Sequence, residues 1–405
     1  MSDTQKNKKP NVPNLSVKRE QKELQIHSVE RETNVGRNVP NLRFPGFSGE
    51  WRTTSFKDEC IINPKTEALK KEFLYIDLES VVKGQLVKHN IISRDEAPSR
   101  AQRVLSKWDI LYQCVRPYQL NNYIIRDEST VQRVASTGYA QIRTRHNPDF
   151  IYQLLYTKDF TDKVINRCTG TNYPAINSTD LSSIEISIPS VQEQSHIASF
   201  LSLIDQRIII QNKVIEKYES LIKALYSLLI PENSDNYEAL GNLVQICKGK
   251  QLNSEYLSDG GNYYVMNGGT TPSGYYDDYN TPADTISISE GGNSCGFVQY
   301  NEVPFWSGGH CYTLLQTSDK RVQYKFLYHF LKSKQDDIMA LRIGSGLPNI
   351  QKKDLVNYPI PILPREFQIV ITRLFAIVTK HVEYERAILN GLTSQKQYLL
   401  SELFI

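Results

Sequence analysis

The sequence predicts an α+β protein with two tandem mixed α/β domains, each followed by a long helix, and three observations lead to that prediction. A chain of 405 residues exceeds the size at which a single hydrophobic core usually stops growing. The passage "TGTNYPAINSTDLSSIEISIP", which begins at Thr169, returns in looser form as "GSGLPNIQKKDLVNYPIPILP" from Gly344. Each copy stands directly before a long stretch in which apolar residues recur with helical spacing.

The two passages share one register, which indicates a duplicated unit. The matching positions all lie at a single offset: Pro174, Ile176, Asp180, Leu181, Ile186 and Ile188 correspond to Pro348, Ile350, Asp354, Leu355, Ile360 and Ile362. Upstream, "FIYQLLYTKDF" at Phe150 resembles "FLYHFLKSKQD" at Phe326, and "STGYAQIR" at Ser136 resembles "SGGHCYTL" at Ser307. Because order and spacing are both kept, we interpret each half as one mixed domain followed by one helix.

The two helical stretches contain a coiled-coil seam, in which spacings of four and three residues alternate. The first seam comprises Ile197, Leu201, Ile204, Ile208, Gln211, Ile215, Tyr218, Ile222, Leu225 and Leu229. The second comprises Ile371, Phe375, Val378, Val382, Glu385, Leu389, Leu392, Lys396, Leu399 and Leu403. Both seams are apolar except for Gln211, Glu385 and Lys396.

Gln211 and Glu385 occupy equivalent positions near the midpoints of their helices. In an antiparallel pair the midpoints meet, so the Gln211 amide can donate to the Glu385 carboxylate and fix the register. The sequence therefore predicts that the two helices form an antiparallel coiled coil with pseudo-twofold symmetry. The alternative is that each helix packs only on its own domain.

These features divide the chain into five predicted segments. Residues 1–43 are polar, lack a hydrophobic period and contain "NVPNL" twice, which predicts a disordered N-terminal tail. The first domain is expected at 44–190 and its spacer helix at 191–233. The second domain is expected at 234–364 and its spacer helix at 365–405.

Bulk properties restrict the cellular setting more than they identify a partner. The net charge of +3 is too small to point to a ligand by itself, and the six cysteines include no Cys-x-x-Cys pair. That spacing fits neither a zinc site nor a disulfide framework, so buried free thiols in a reducing compartment are expected. No apolar stretch is long enough for a membrane span. We therefore expect a cytoplasmic protein with no membrane partner.

The first domain contains a basic segment that fits binding to double-stranded DNA. From Lys83 to Arg145 there are eleven Lys and Arg against five Asp and Glu. Arginine suits both phosphate contacts and paired hydrogen bonds to guanine, although a solvated surface is the simpler reading for any single one. The DNA-binding candidates are Lys83, Arg94, Arg100, Arg103, Arg116, Arg143 and Arg145, joined by Thr171, Asn172 and Tyr173 from the repeated passage.

The second domain has a different chemistry. Between Lys250 and Lys320 there is no Lys or Arg, and short polar side chains and glycines predominate. Such residues can hydrogen-bond base edges or phosphates without charge, but they are equally typical of ordinary turns. The candidates here are Lys248, Lys250, Asn267, Thr270, Thr271, Ser273, Tyr275, Asn293, Arg342, Ser345 and Asn349.

The sequence contains no convincing catalytic or metal-binding motif. It has no Gly-x-x-x-x-Gly-Lys-Ser/Thr phosphate loop, no His-Glu-x-x-His zinc helix and no histidines at metal-ligand spacing. Pro148-Asp149 could begin a nuclease motif, but no Asp/Glu-x-Lys follows it. The Asn/Asp-Pro-Pro-aromatic loop of DNA methyltransferases is also absent. We therefore assign no catalytic residue and no metal or cofactor site to this chain.

The order of these segments resembles the specificity (S) subunits of type I restriction-modification enzymes. That order is "VPNLRFPGFSGEW", a mixed domain, "IPSVQEQ", a long helix, a second mixed domain, "ILPREFQ" and a second long helix. The likeness runs from Asn38 to Ile405, and the longer N-terminal tail departs from it. A Pro-x-x-x-x-Gln ending recurs as Pro189 to Gln194, with a shortened form from Pro364 to Gln368.

The resemblance implies a non-catalytic DNA-recognition subunit with a role in phage defence. In that family each domain is a target recognition domain that reads one half of a split DNA sequence. The paired helices space the domains and bind two modification (methyltransferase) subunits, which hold S-adenosylmethionine, and restriction (motor-nuclease) subunits complete the complex. The family has no shared base-contact motif, so the resemblance does not single out reading residues.

Two other functions remain open from the sequence. A coiled-coil scaffold whose domains bind proteins would show no salt-dependent DNA affinity, whereas a phosphate-contacting protein loses affinity as salt rises. A fused restriction-modification polypeptide reduced to its recognition part would be an enzyme, and the missing motifs argue against it.

Overall fold

The computed structural model describes residues 38–229, 236–344, 346 and 348–405, and these residues form two compact units. Unit 1 contains the described part of Met1–Pro148 together with Leu154–Gln194 and Glu402–Ile405. Unit 2 contains Asp149–Gln153 and Ser195–Ser401. Below, head 1 denotes residues 38–190 and head 2 denotes the described residues of 236–364.

Head 1 is a mixed domain of short strands and short helices. Its strands are β1 (Arg52–Ser55), β2 (Cys60–Ile62), β3 (Glu72–Ile76), β4 (Val81–Val82), β5 (Gln85–Leu86), β6 (Asn90–Ser93), β7 (Ala101–Leu105), β8 (Ile110–Gln113), β9 (Tyr123–Ile124), β10 (Arg133–Ser136), β11 (Tyr139–Thr144) and β12 (Glu185–Ile188). Its helices are α1 (Phe56–Glu59), α2 (Pro148–Leu154), α3 (Lys158–Ile165) and α4 (Ser178–Ser182). Two 3-10 turns cover Arg94–Glu96 and Pro117–Gln119, and the spacer helix α5 (Val191–Leu229) follows.

Head 2 has the same mixture of elements. Its strands are β13 (Tyr237–Ala239), β14 (Val244–Lys248), β15 (Tyr263–Met266), β16 (Tyr275–Tyr276), β17 (Thr285–Ser289), β18 (Val298–Asn301), β19 (Trp306–Ser307), β20 (Cys311–Gln316) and β21 (Pro359–Pro361). Its helices are α6 (Leu240–Leu243), α7 (Tyr324–Ser333), α8 (Gln335–Ala340) and α9 (Lys352–Val356). A 3-10 turn covers Ser254–Tyr256, and the spacer helix α10 (Arg365–Leu403) follows.

The two heads share one topology, which confirms the predicted duplication. An antiparallel sheet has the order β2-β11-β8-β9 in head 1 and β14-β20-β17-β18 in head 2. A second sheet is built around a parallel pair, β3 with β10 and β15 with β19. Each head is closed by a two-stranded antiparallel ribbon, β1 with β12 and β13 with β21.

Each core lies against the central strands of the antiparallel sheet. All residues of β8 and β17 are buried, as expected for strands with a neighbour on both sides. In head 1, Phe160 of α3 packs edge-on against Tyr112, with ring centroids 5.9 Å apart. In head 2, Phe326 and Phe330 of α7 belong to the same buried cluster as Ile286. Burying each of these large side chains contributes about 1.5–3 kcal/mol to folding.

The spacer helices α5 and α10 are each 39 residues long, or about 58 Å at 1.5 Å per residue. Every residue of the two predicted seams is buried or half-buried. The pairing is antiparallel, because Asp205 near the start of α5 contacts Lys396 near the end of α10 at 2.6 Å. Towards the other end, Tyr226 stacks on Phe375 with ring centroids 3.9 Å apart. The predicted antiparallel coiled coil is therefore confirmed, and Asp205 accounts for the polar Lys396 in its seam.

Gln211 and Glu385 meet at the middle of the helix pair. The Gln211 side-chain amide donates to the Glu385 carboxylate and also, at 3.0 Å, to the Glu385 backbone oxygen. The contact is the one expected from the sequence, and its role in setting the register remains a prediction.

A buried glutamine joins each head to its helix. The Gln368 amide donates to the Leu363 oxygen at 2.7 Å and to the Arg321 oxygen at 2.8 Å, and it accepts from the backbone N–H of Gln323 at 2.7 Å. Gln194 repeats the first of these bonds, donating to the Pro189 oxygen at 3.0 Å. The repeated Pro-x-x-x-x-Gln passage is thus a structural junction.

Residues 38–43, which the prediction assigned to the tail, make defined contacts. The Asn38 side chain donates to the Trp51 oxygen at 2.5 Å, and Arg43 forms a buried ion pair with Glu193 at 2.7 Å. These bonds hold residues 38–43 on the rest of unit 1, while residues 1–37 of the predicted tail lie outside the described residues. The first spacer helix was predicted to 233 and is described to Leu229. The six cysteines were predicted to be buried free thiols; all are free, but Cys168 and Cys247 are only half-buried.

Candidate nucleic-acid interface

The repeated passage is closed by the same pair of backbone hydrogen bonds in both heads. Loop 1 (residues 169–175) is closed by two backbone hydrogen bonds between Thr169 and Ala175, of 2.9 and 3.0 Å. Loop 2 (residues 343–349) is closed by the equivalent pair between Ile343 and Asn349, of 2.9 and 3.0 Å. The second residue is a left-handed glycine in each copy, with φ +92° at Gly170 and +100° at Gly344. A side chain would strain this backbone, so the turn needs glycine in both heads.

Both loops are attached at the end of the central strand of their head. In head 1 the Arg116 N–H donates to the Pro174 oxygen at 2.7 Å, just after β8 ends. In head 2 the Gly292 N–H donates to the Pro348 oxygen at 3.0 Å, just after β17 ends. The duplicated fold therefore presents one loop at the same end of each head, as expected for two readers of one type of ligand.

Loop 1 combines an aromatic ring with a positive charge. The Arg116 guanidinium lies over the Tyr173 ring, 4.4 Å from its centroid. Tyr173 is 65% exposed, and its loop neighbours Thr171 and Asn172 are exposed as well. A guanidinium that lies over an exposed aromatic ring can bind nucleic-acid bases or phosphates.

Two further candidates lie at the loop end of head 1, which is the end where β8 finishes and loop 1 is attached. The Arg100 oxygen accepts from Thr137 at 2.9 Å, in the turn that precedes β11, and the side chain of Arg100 is exposed. Lys83 occupies the tip of the β4–β5 hairpin, where its N–H donates to the Asn121 side chain at 3.0 Å. Since Gly138, next to Thr137, bonds Cys114 at the end of β8, and the Asn121 N–H donates to the Gln113 side chain there, Arg100 and Lys83 lie at the same end of head 1 as Arg116.

The other arginine candidates of head 1 lie elsewhere or have internal partners. Arg143, near the far end of β11, donates to both carboxylate oxygens of the buried Asp109 at 2.8 Å. Arg145 follows it on the surface, and Arg94 begins a 3-10 turn beside Lys71. Arg103 is half-buried, and burial lowers its pKa. The structure therefore does not gather these four around loop 1, and their role as DNA contacts remains a prediction.

In head 2 one charged candidate, Lys248, pairs with the buried acid Glu290 next to loop 2. Lys248 donates to Glu290 at 2.8 Å, and the His310 ring lies 3.9 Å from the same carboxylate. Glu290 is also bonded to the residue that follows loop 2, because its backbone oxygen accepts from the Ile350 N–H at 2.9 Å. The Asn267 side chain accepts from the His310 N–H at 3.1 Å, so Asn267 joins this cluster.

The remaining candidates of head 2 are exposed and more dispersed. Thr270, Thr271 and Ser273 lie on the connection between β15 and β16, Tyr275 lies in β16, and Lys250 follows β14. Ser345 lies outside the described residues. Of this set, Asn349 closes loop 2, Arg342 directly precedes it, and Asn293 follows Gly292, whose N–H donates to Pro348 of loop 2.

Three residues at these sites were not singled out from the sequence. Tyr118, which is 53% exposed, lies on the 3-10 turn that follows Arg116. Gln113 holds that turn from beneath, donating to the Val115 oxygen and to the Gln119 side chain, each at 2.8 Å. His310 joins the Glu290 cluster. The dipeptide before Tyr118, Arg-Pro, is a turn signal that could have drawn attention to it.

Within the described ranges, no group of three or more His, Cys, Asp or Glu side chains is arranged to hold a metal ion. No helix of those ranges is both long enough and apolar enough to cross a membrane.

Comparisons with known proteins agree with this architecture. The sequence profile of the type I restriction modification DNA specificity domain matches residues 52–220 and 233–394. A Mycoplasma pneumoniae protein described as type I specificity subunit S.MpnORF638P is 36% identical over 126 residues, covering 31% of this chain and 33% of that protein. The HindI specificity subunit of Haemophilus influenzae is 25% identical over 158 residues, covering 38% of this chain and 34% of that protein. These alignments span about a third of the curated relatives.

A solved structure shows the same fold over nearly the whole chain. The crystal structure of a type I restriction-modification system S subunit from M. genitalium matches with a TM-score of 0.59 at 21% sequence identity. The match covers 91% of this chain and 99% of that chain. The family profile matches twice and over more than half of the sequence. The chain therefore belongs to the DNA specificity (S) subunits of type I restriction-modification systems and contains the specificity domain twice.

Proposed function

We propose that this chain is the DNA-reading, non-catalytic part of a type I restriction-modification complex, in which each head reads one half of a bipartite target. The observation that supports this most directly is the repeated loop. Two heads of one topology present loop 1 and loop 2 at the same strand end, each held there by equivalent backbone bonds. A two-part reader is the natural use of such a duplication, as protein dyads mirror paired DNA half-sites.

The two half-sites are expected to differ in sequence. The loop end of head 1 presents Arg116, Arg100 and Lys83, whereas Gly292 occupies the position equivalent to Arg116 in head 2. In head 2, Lys248 is paired with Glu290, which neutralises its charge locally. We expect head 1 to use more charged contacts and head 2 to use more neutral hydrogen bonds.

The helix pair has an additional surface that fits protein partners. Outside the coiled-coil seam, α5 exposes Leu203 and Ile210, and α10 exposes Ile377 and Tyr384. Leu203 corresponds to Ile377 and Ile210 to Tyr384 at the offset of the duplication. We call these four residues the outer stripe. Exposed apolar rows of this kind mark interaction sites, and their repetition predicts two copies of one partner.

We assign those two positions to methyltransferase (modification) subunits, which would hold S-adenosylmethionine and supply the catalysis. Motor-nuclease (restriction) subunits would then join the complex. The assignment rests on the family and on the duplicated outer stripe. Such an assembly would work in the cytoplasm, where the DNA is.

The test combines affinity purification with methylation mapping. A tagged chain is recovered from its native host, and genomic methylation is mapped with and without the gene. We expect a methyltransferase to co-purify in two copies and a split methylation motif to disappear on deletion. The purified complex should bind DNA with that motif more tightly than DNA without it, with affinity that falls as salt rises.

The competing function is a coiled-coil scaffold whose exposed helix residues bind unrelated proteins. Recovery of other partners, with an unchanged methylome and no sequence-specific DNA binding, would establish that function instead.

A further inference from the structure

Arg116 has an unused set of hydrogen-bond donors in a defined position. In the described part of the chain its side chain makes no ion pair and no hydrogen bond, and its contact is the Tyr173 ring at 4.4 Å. Arg143 and Arg133 of the same head, by contrast, are paired with Asp109 and Asp127. Contact with the ring restricts where the guanidinium lies but does not use its N–H donors, so Arg116 can still donate.

The backbone of Arg116 is strained in a way that the surrounding structure maintains. It adopts the left-handed conformation, with φ 53° and ψ 55°, although it is not glycine and precedes Pro117. Both features disfavour that conformation. It is held by the bond from its N–H to Pro174 and by the Gln113 amide, which bonds Val115 and Gln119 on either side. Strain kept in this way is typical of functional positions.

We propose that Arg116, supported by the Tyr173 ring, reads one guanine in the half-site of head 1 by paired hydrogen bonds to O6 and N7. This inference rests on the proposed function and adds the base and the reading residue to it. Paired donation to guanine O6 and N7 is the commonest specific contact of arginine in the major groove.

A guanine suits this geometry better than a phosphate. Phosphate contacts carry no sequence information, and the exposed side chains of Arg100 and Lys83 can supply them at the same end of the head. Arg116 instead has a guanidinium held against the Tyr173 ring and a left-handed backbone supported by hydrogen bonds, and both restrict where its two adjacent donors can lie. A planar ligand with two adjacent acceptors uses that arrangement, as the guanine edge does.

The inference applies to one half of the target. Head 2 has Gly292 where head 1 has Arg116, as their matching bonds to Pro348 and Pro174 show. Loss of the Arg116 contact should therefore relax one position in one half-site and leave the other half-site unchanged.

The test uses the full chain in complex with the subunits that co-purify with it. Genomic methylation is mapped for the wild type, Arg116→Ala, Arg116→Lys and the charge control Lys57→Ala, which removes an exposed cation on α1. Binding is measured on duplexes with the mapped motif, in which each guanine in turn is replaced by 7-deazaguanine. That base lacks the N7 acceptor and keeps normal pairing.

At one position of the motif, replacing guanine by 7-deazaguanine should lower the affinity of the wild-type complex for DNA by about tenfold or more. The same replacement should leave the DNA affinity of Arg116→Ala and Arg116→Lys almost unchanged. Both variants should also methylate DNA that has other bases at that position. Arg116→Lys keeps the charge, so its behaviour separates lost geometry from lost charge or misfolding. Tyr173→Leu should lose selectivity at this position, whereas Tyr173→Phe, which keeps the ring, should retain it.

Three results would overturn the inference. Arg116 would be a phosphate contact if Arg116→Ala lost affinity equally for all DNA sequences and if the slope of log affinity against log salt fell by about one. An unchanged motif in Arg116→Ala would exclude any reading role. Equal sensitivity of wild type and Arg116→Ala to every 7-deazaguanine would exclude the N7 contact. In all three cases the wild type still recognises a bipartite motif; if it recognises none, the proposed function itself fails.

Discussion

Gln211 of α5 donates a hydrogen bond to the carboxylate of Glu385 on α10, in the middle of the seam between the two helices. A polar pair in a coiled-coil seam excludes shifted alignments, because any slip would leave both groups against apolar neighbours. The contact joins residues 174 positions apart, which is also the offset of the duplication. It therefore lies where the two copies of one helix position meet.

We expect Gln211→Leu to reduce the free energy of unfolding by about 1–3 kcal/mol, because the half-buried Glu385 carboxylate then loses its donor. The double variant Gln211→Leu/Glu385→Leu should regain most of this loss, since an apolar pair has no unsatisfied group. Urea unfolding of the wild type, both single variants and the double variant measures the coupling. Simple additivity of the two single effects would show that the pair does not interact.

We expect Gln368→Ala to lower the free energy of unfolding by about 2 kcal/mol or more. The substitution leaves the N–H of Gln323 without its acceptor, and the Leu363 and Arg321 oxygens without their donor. The urea midpoint checks this. The control Arg373→Ala, an exposed site further along α10, should change stability by less than about 0.5 kcal/mol. Equal effects of both variants would argue against a structural role for the glutamine.

The outer stripe leads to a prediction about stoichiometry. An aspartate at Leu203 or at Ile377 places a charge in one of two equivalent apolar surfaces. Each single variant should bind one methyltransferase subunit in place of two, and the double variant should bind none. Native mass spectrometry of the co-expressed complex counts the subunits. The control Lys213→Asp, an exposed polar position on α5, should retain two, and full assembly of the double variant would place the docking surface elsewhere.

We expect unit 2 to become less stable in mild acid because of the buried side chain of His329. Burial, with a smaller effect of the Lys325 charge, lowers the pKa of His329 to about 4 from its ordinary 6.5. Between those values the unfolded chain binds a proton that the folded chain does not, so stability is full above pH 6.5 and falls below it. The loss at pH 5 is about 2 kcal/mol. Urea midpoints at pH 7 and pH 5 measure it.

His329→Leu should reduce that pH dependence, because the group that titrates is removed. The exposed His89 provides a matched control, and His89→Gln should keep the pH dependence of the wild type. An unchanged slope in His329→Leu would show that other groups cause the acid sensitivity.

The helical and repetitive parts of this fold could be predicted because their signals are local or periodic. The seams follow from spacings of three and four residues, and the pairing of Gln211 with Glu385 follows from their equal positions in two copies. The duplicated loops follow from a passage that returns at one offset. In each case the information lies within a short stretch of sequence or in its repetition.

The candidate interface could be predicted only in part, because it depends on contacts between distant residues. Arg143 lies in the same basic segment of the sequence as Arg116, but its side chain is hydrogen-bonded to Asp109, which is 34 residues away in the chain. Arg116 is distinguished by a left-handed backbone and by Tyr173 on another segment. Neither feature has a signature in the local sequence.

The buried glutamine of head 2 has a mechanical consequence. Gln368 bonds the last turn before the helix and the segment that leads into α7, while Ile371 and Phe375 of α10 lie in the same core as Ile360. Because these contacts join α10 to the core of head 2, we expect the helix and the head to move together as one rigid body. A torque that a bound subunit exerts on α10 would be transmitted to head 2 as rotation.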